Sequence, residues 1–305
     1  MAVVPVLLRQ LAIMAIYMAV GYFLYRKRLV TAQGCKELGN LLLYVVLPCA
    51  IVNSYRVERT PEKTGQLLWS LLLSLGALLL AMAVCTVLFR RRKIECFGVS
   101  FSNAGFMGIP LVSAVLGGEG VFFISSFVAL LNIFQWTYGV VVMTDSRDSI
   151  QLKKLAKNPI LIAMGAGLVL FFLQPPLPSV VTGAVSALAG LNAPVAMIIL
   201  GIYLAQTELA SVFNASVLYG AAAVRLLLIP ALTAVLLCVL PADPTLKLAI
   251  FIAASAPIGS NVAIFAQIHG QDYTLAVREV CLSTILSVVT MPAVIACYSL
   301  LPGAV

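Results

Sequence analysis

The run Ser100-Phe101-Ser102-Asn103-Ala104-Gly105-Phe106-Met107-Gly108-Ile109-Pro110 interrupts a segment, about 95–116, that is otherwise apolar enough to span a membrane. Six of its eleven residues are Ser, Asn, Gly or Pro. Proline removes a backbone donor and clashes with the preceding turn, and glycine releases the backbone. The amide and carbonyl groups freed in this way cannot face lipid, so they must line a protein-enclosed or wet cavity. A second run, Ser255-Ala256-Pro257-Ile258-Gly259-Ser260-Asn261, interrupts the segment 246–267 in the same manner.

The chain around these runs is built for lipid. Of its 305 residues, 62% are hydrophobic and 10% charged, with a mean hydropathy of +1.08. A soluble domain is about 25% charged, and a small globule has too little interior for so many apolar side chains. A spanning helix takes about 20 apolar residues. The sequence predicts about ten, near 4–25, 37–55, 65–89, 95–116, 120–143, 158–174, 180–204, 211–240, 246–267 and 274–300. The fold class expected is an all-α polytopic membrane protein. The first segment is long enough to span and runs directly into Arg26-Lys27-Arg28, so it reads as a retained helix rather than a cleaved signal.

The net charge of +8 resides in short loop clusters, not in a nucleic-acid-binding face. Loops after the first, third and fifth segments each hold four basic residues: Arg26, Lys27, Arg28 and Lys36; Arg90 to Lys93; Arg147, Lys153, Lys154 and Lys157. Loops after the fourth and sixth hold none, and the loop after the second holds three. The positive-inside bias puts the first set in the cytoplasm and both termini outside.

Internal similarity divides the chain. Pro48-Cys49-Ala50 in the second segment and Pro194-Val195-Ala196 in the seventh share a spacing, and the interrupted fourth and ninth segments both end in a glycine-plus-acid turn, Gly117-Gly118-Glu119 and Gly270-Gln271-Asp272. Aligning those turns pairs Asn103 with the Ala256-Pro257 stretch rather than Pro110 with Pro257, a register that the sequence leaves open. The unit is about 150 residues and five helices, and an odd number of spans inverts the second copy. We expect 1–143 as the first inverted repeat, 144–157 as a cytoplasmic linker and 158–305 as the second repeat.

Interrupted segments in matching positions of two halves point to a transporter's binding site. Half-helix N-termini carry partial positive charge and suit an anion. The expectation is a secondary carrier for a small organic anion such as a mono- or dicarboxylate. Asn103, Gly105, Pro110, Pro257, Ser260 and Asn261 would bind it between the broken helices. Pro48 and Pro194 read equally as kinks in scaffold helices or as substrate contacts.

Asn103-Ala104-Gly105-Phe106-Met107-Gly108-Ile109-Pro110-Leu111 also resembles the fourth-helix motif of the auxin efflux carrier family. Asn158-Pro159-Ile160, Leu191 to Ala196, Leu200-Gly201, Ala256 to Asn261, and Leu282 to Ser287 with Pro292 are similar to further parts of that family, in order along nearly the whole chain. The resemblance implies two inverted five-helix repeats whose fourth and ninth helices cross at their unwound points. It implies a scaffold of helices 1, 2, 6 and 7, and an elevator-like transport domain of helices 3–5 and 8–10. It gives Asn103 the position that contacts a carboxylate in plant members. The short 144–157 loop is that of bacterial relatives, which are associated with small organic acids such as malonate or malate. It therefore implies a bacterial inner-membrane location and a homodimer through the scaffold.

Charged residues within spans are functional suspects. Arg225 could hold an anion or pair with a polar group inside the protein, and Glu279, beside Arg278, is interfacial or a proton-coupling group. Proton coupling, sodium coupling and uniport stay open. His269 and Arg9 read as interfacial. The seven cysteines show no C-x-x-C spacing, and with one histidine there is no material for a metal cluster or a histidine triad, so no metal or cofactor is expected. No H-E-x-x-H, G-x-S-x-G or P-loop run is present, which makes an intramembrane enzyme the least favoured class. A channel or non-transporting receptor is the alternative, and it would need a pore-lining ring or a soluble domain.

Overall fold

In lipid every backbone polar group must be paired within the protein, and helices do this locally. The computed structural model describes residues 3–150, 152–208, 212–213 and 216–303, and it is helical throughout, with no strand longer than an isolated bridge among them. The helices are α1 Val3–Arg26, α2 Ala32–Ser54, α3 Pro61–Leu88, α4 Lys93–Ser100, α5 Ala104–Thr144, α6 Leu152–Ala156, α7 Pro159–Leu173, α8 Ser179–Gln206, α9 Leu218–Val239, α10 Pro244–Ser255, α11 Asn261–Ile268 and α12 Tyr273–Ser299. Seven of them (α1, α2, α3, α5, α8, α9 and α12) are long and apolar enough to cross a membrane, and α7 and α10 are shorter apolar helices. The start expected at 211 for the eighth segment lies outside the described residues.

Local chemistry sets the starts. Thr60, Asn158 and Asp243 each cap a helix through a side-chain oxygen that accepts from a first-turn amide, and each is followed by proline at the first helical position. Asp272 caps α12 by accepting from Leu275 N at 2.9 Å.

Proline also explains an irregularity that the spacing of apolar residues does not reveal. Wide π turns at Leu42–Val46, Ala104–Gly108 and Val224–Leu228 each end two residues before a proline: Pro48, Pro110 and Pro230. A ring that cannot donate and that clashes with the carbonyl four residues back is accommodated by a widened turn. Pro194 differs, because α8 breaks at Leu191 and Pro194 lies in the first turn that follows. Within α5, Gly117 adopts φ +66°, the left-handed region open to glycine, and divides a limb 104–116 from a limb 118–144.

The two ends of the bundle are tied separately. At one, Lys93 Nζ meets Asp145 Oδ2 at 2.6 Å and Gln271 Nε2 donates to Met143 O at 3.0 Å. At the other, Gln174 Nε2 donates to Val57 O at 3.0 Å, Arg59 donates to Phe172 O at 3.3 Å, and Lys63 pairs with Glu119. Between the ends, α1 and α8 cross with glycine at the contact. A Cβ at Gly21 would strike the Ile198 carbonyl, and one at Gly201 would strike the Met18 carbonyl. Small residues allow this approach where lipid offers no hydrophobic drive. Large apolar side chains such as Ile16, Phe23, Val87, Val180, Val239 and Val289 are exposed, as lipid-facing residues must be.

Candidate functional site at the helix crossing

The chain between α4 and α5 and the chain between α10 and α11 run past each other in opposite directions. Asn103 N donates to Pro257 O at 2.7 Å, Gly259 N donates to Phe101 O at 3.0 Å, and Ser102 faces Ile258 in an antiparallel bridge. These bonds set Asn103 opposite Pro257 across the crossing. They also satisfy backbone groups that the two breaks release, which is what depth in a membrane requires. Gly259 is needed here, because a Cβ would lie 3.1 Å from both the Phe101 and Ser102 carbonyl oxygens.

Four helix ends therefore meet at one point. α4 and α10 bring C-terminal ends, which are partially negative, and α5 and α11 bring N-terminal ends, which are partially positive. The negative ends are answered by Arg225, which is 1% exposed. Its Nε donates to Ala256 O at 3.0 Å, its Nη1 to Val99 O at 3.1 Å and its Nη2 to Ala254 O. One planar guanidinium thus spans the ends of both broken helices, which a single ammonium could not do.

On their side lies a cavity of about 30 Å³ lined by Asn103, Gly105, Ser260 and Asn261, with Ser102, Asn132 and Gln135. Asn103 is 4% exposed and its Nδ2 has no partner. Asn261 Nδ2 donates to Gln135 Oε1 at 2.8 Å. Asn158 Nδ2 donates to Asn132 Oδ1 at 3.4 Å. The wall is otherwise apolar, with Leu43, Leu47 and Ile160. A buried donor with nothing to bind costs free energy, and Ser102 Oγ in the same wall is likewise without a partner.

Two further residues named from the sequence lie elsewhere. Pro257 is buried and enters the crossing through its carbonyl rather than the cavity wall. Pro110 lines a separate cavity of about 490 Å³, toward the end that carries Arg56 and Gly118, together with Asn53, Ser113 and Asn192. Asn192 stands between the two cavities. Its Nδ2 donates to Gly105 O at 3.4 Å and its Oδ1 is buried without a partner. The sequence reading missed Asn132 and Gln135. Their signal was available, since two amides at i and i+3 in an apolar helix share a face.

Glu279 is absent from both cavities and is buried in α12 against α4, 1% exposed. Arg278 beside it is half-buried and lines a third cavity with Thr207 and Glu208.

A polytopic helical protein with two broken helices crossing over a cavity of amides is a membrane transport protein in architecture. The family described as Membrane transport protein matches residues 6–295, and the chain belongs to that family, the auxin efflux carriers. A protein of Rhizobium meliloti (strain 1021), named "Putative malonate transporter", is similar: 26% identical over 274 residues, covering 83% of this chain and 84% of the relative.

Proposed function

We propose that this protein is a secondary-active carrier for a small organic anion, a mono- or dicarboxylate, bound at the crossing between the N-terminal ends of α5 and α11. The observation that carries this reading is the unequal treatment of the four helix ends. Arg225 occupies the carbonyl ends, while the amide ends face a polar cavity in which Asn103 Nδ2 has no partner. A carboxylate supplies the acceptor and charge that such a place lacks. The name of the Rhizobium relative points to the same chemistry and makes malonate the first acid to try.

A void of about 30 Å³ has room for about two waters. That favours a carrier, which must rearrange to admit its substrate, over a channel with a standing pore. In this reading α1, α2, α7 and α8 form the scaffold, and α3–α5 with α9–α12 form a transport domain that slides like an elevator. The halves 1–143 and 158–305 are inverted repeats joined by 144–157. The protein lies in a bacterial inner membrane with both termini outside and the basic clusters of 26–36, 90–93 and 147–157 in the cytoplasm. A homodimer would form through the scaffold.

The test is charge movement in liposomes holding the purified protein, on addition of a panel of mono- and dicarboxylates. A saturable signal for one class of acid is the expected result. Silence across the panel from folded protein would remove organic anions as the substrate.

A further inference from the structure

We propose that the carboxyl of Glu279 is a proton-binding site of this protein, placed behind the crossing and away from the anion cavity. Glu279 is 1% exposed, and neither of its oxygens has a hydrogen-bond partner. An ionised carboxylate in that setting loses its hydration without recompense, whereas the neutral acid fits an apolar surround far more easily. Space for the carboxyl is built in. It lies against Gly98 of α4, where a Cβ would come within 2.7 Å of Oε2.

The groups that face it are few. From α4 these are Glu95, 5% exposed, and Arg92, which pairs with Glu95 at 2.7 Å. From α3 it is Cys85, which also feels Arg225 of α9. On α12 itself, Arg278 precedes it and Cys281 follows. Arg225 is committed to three carbonyls, and Arg92 to Glu95. Neither oxygen of Glu279 has a hydrogen-bond partner, and a proton can neutralise it. In the binding step an O–H bond of hydronium breaks as an O–H bond to a carboxylate oxygen forms, water is left behind and the charge of the carboxylate is lost. Release is the reverse, and no electrons move.

The location links this step to the crossing. One turn further along α12, Ser283 Oγ accepts from Ile258 N at 3.2 Å, and Ile258 is a member of the crossing bridge. On the other side Gly98 adjoins Val99, whose carbonyl is held by Arg225. A change of charge at Glu279 thus acts between the two elements that carry the broken helices.

Proton binding stands by itself, but its use to drive transport rests on the carrier reading, so two measurements are needed. Infrared difference spectra of protein in lipid, taken between acid and alkaline buffer, should show a protonated-carboxyl C=O band that disappears in Glu279→Gln. Gly98→Ala, which crowds the carboxyl, should shift that band even where the first variant folds poorly. The same band persisting in Glu279→Gln would overturn the proposal. In liposomes, a pH gradient should drive accumulation of labelled malonate by the wild type. Glu279→Gln should lose that drive and keep exchange at equal pH. A sodium gradient driving the wild type, and lost in the variant, would overturn the proton assignment. Absence of wild-type exchange counts against the carrier reading, while the band still decides the proton site.

Discussion

Arg225 and Gly259 perform different tasks at one crossing, and each task predicts a different mutant. Arg225 satisfies carbonyls from both broken helices. Arg225→Met leaves three buried acceptors exposed to nothing, and should cost on the order of 3 kcal/mol of stability. Arg225→Lys should recover only part of this, because one ammonium cannot span the fork. Thermal unfolding in detergent micelles reads both, and an unchanged midpoint for Arg225→Met would deny it a structural role. Gly259→Ala places a methyl 3.1 Å from two backbone oxygens that cannot swing aside. The two segments must part by a few tenths of an ångström, and we expect transport to fall about tenfold, equivalent to about 1.4 kcal/mol in a barrier. Undiminished turnover would show that the close approach is dispensable.

At the scale of elements, the breaks were legible and their register was not. Density of Ser, Asn, Gly and Pro in 100–110 and 255–261 announced two unwound points, since such residues release backbone groups wherever they fall. Which residue faces which across the crossing depends on hydrogen bonds between segments far apart in the sequence. The same limit applies to the cavity. Asn103, Gly105, Ser260 and Asn261 were readable because they lie on the breaks, while Asn132 and Gln135 arrive from the second limb of α5 and only the fold brings them over. Pro110 and Pro257 do not line that cavity: Pro110 follows the widened turn of α5 and lines the larger cavity, and Pro257 gives its carbonyl to Asn103 N. The π turns before Pro48, Pro110 and Pro230 leave no mark in apolar spacing, because these spanning helices are apolar on most sides and have no narrow stripe to shift. Packing of α1 on α8 gives a prediction at this scale. Gly21→Val and Gly201→Val each force backbones apart, and both should lower the unfolding temperature more than the same change at Gly165, where a Cβ meets open space.

For the whole molecule, our proposal is that one group of helices moves against another so that a void of about 30 Å³ can accept a carboxylate. The tip of the Leu47 side chain of α2 lies 3.9 Å from where a Cβ on Gly105 of α5 would be, so a short bridge there joins the proposed scaffold to the proposed transport domain. In a background freed of the seven native cysteines, Leu47→Cys with Gly105→Cys, bridged by a short bifunctional thiol reagent, should lose transport that either single variant keeps under the same treatment. Full transport with the bridge formed would contradict relative motion of these groups.

The claim on which the rest depends is that an organic anion is held at the crossing by Asn103. Labelled malonate exchange in liposomes, measured for wild type and for Asn103→Ala at matched protein density and matched unfolding temperature, tests it most directly. The account predicts saturable exchange in the wild type and its loss in the variant, with folding intact. Saturable exchange that is unaltered in Asn103→Ala would contradict the assignment of the site.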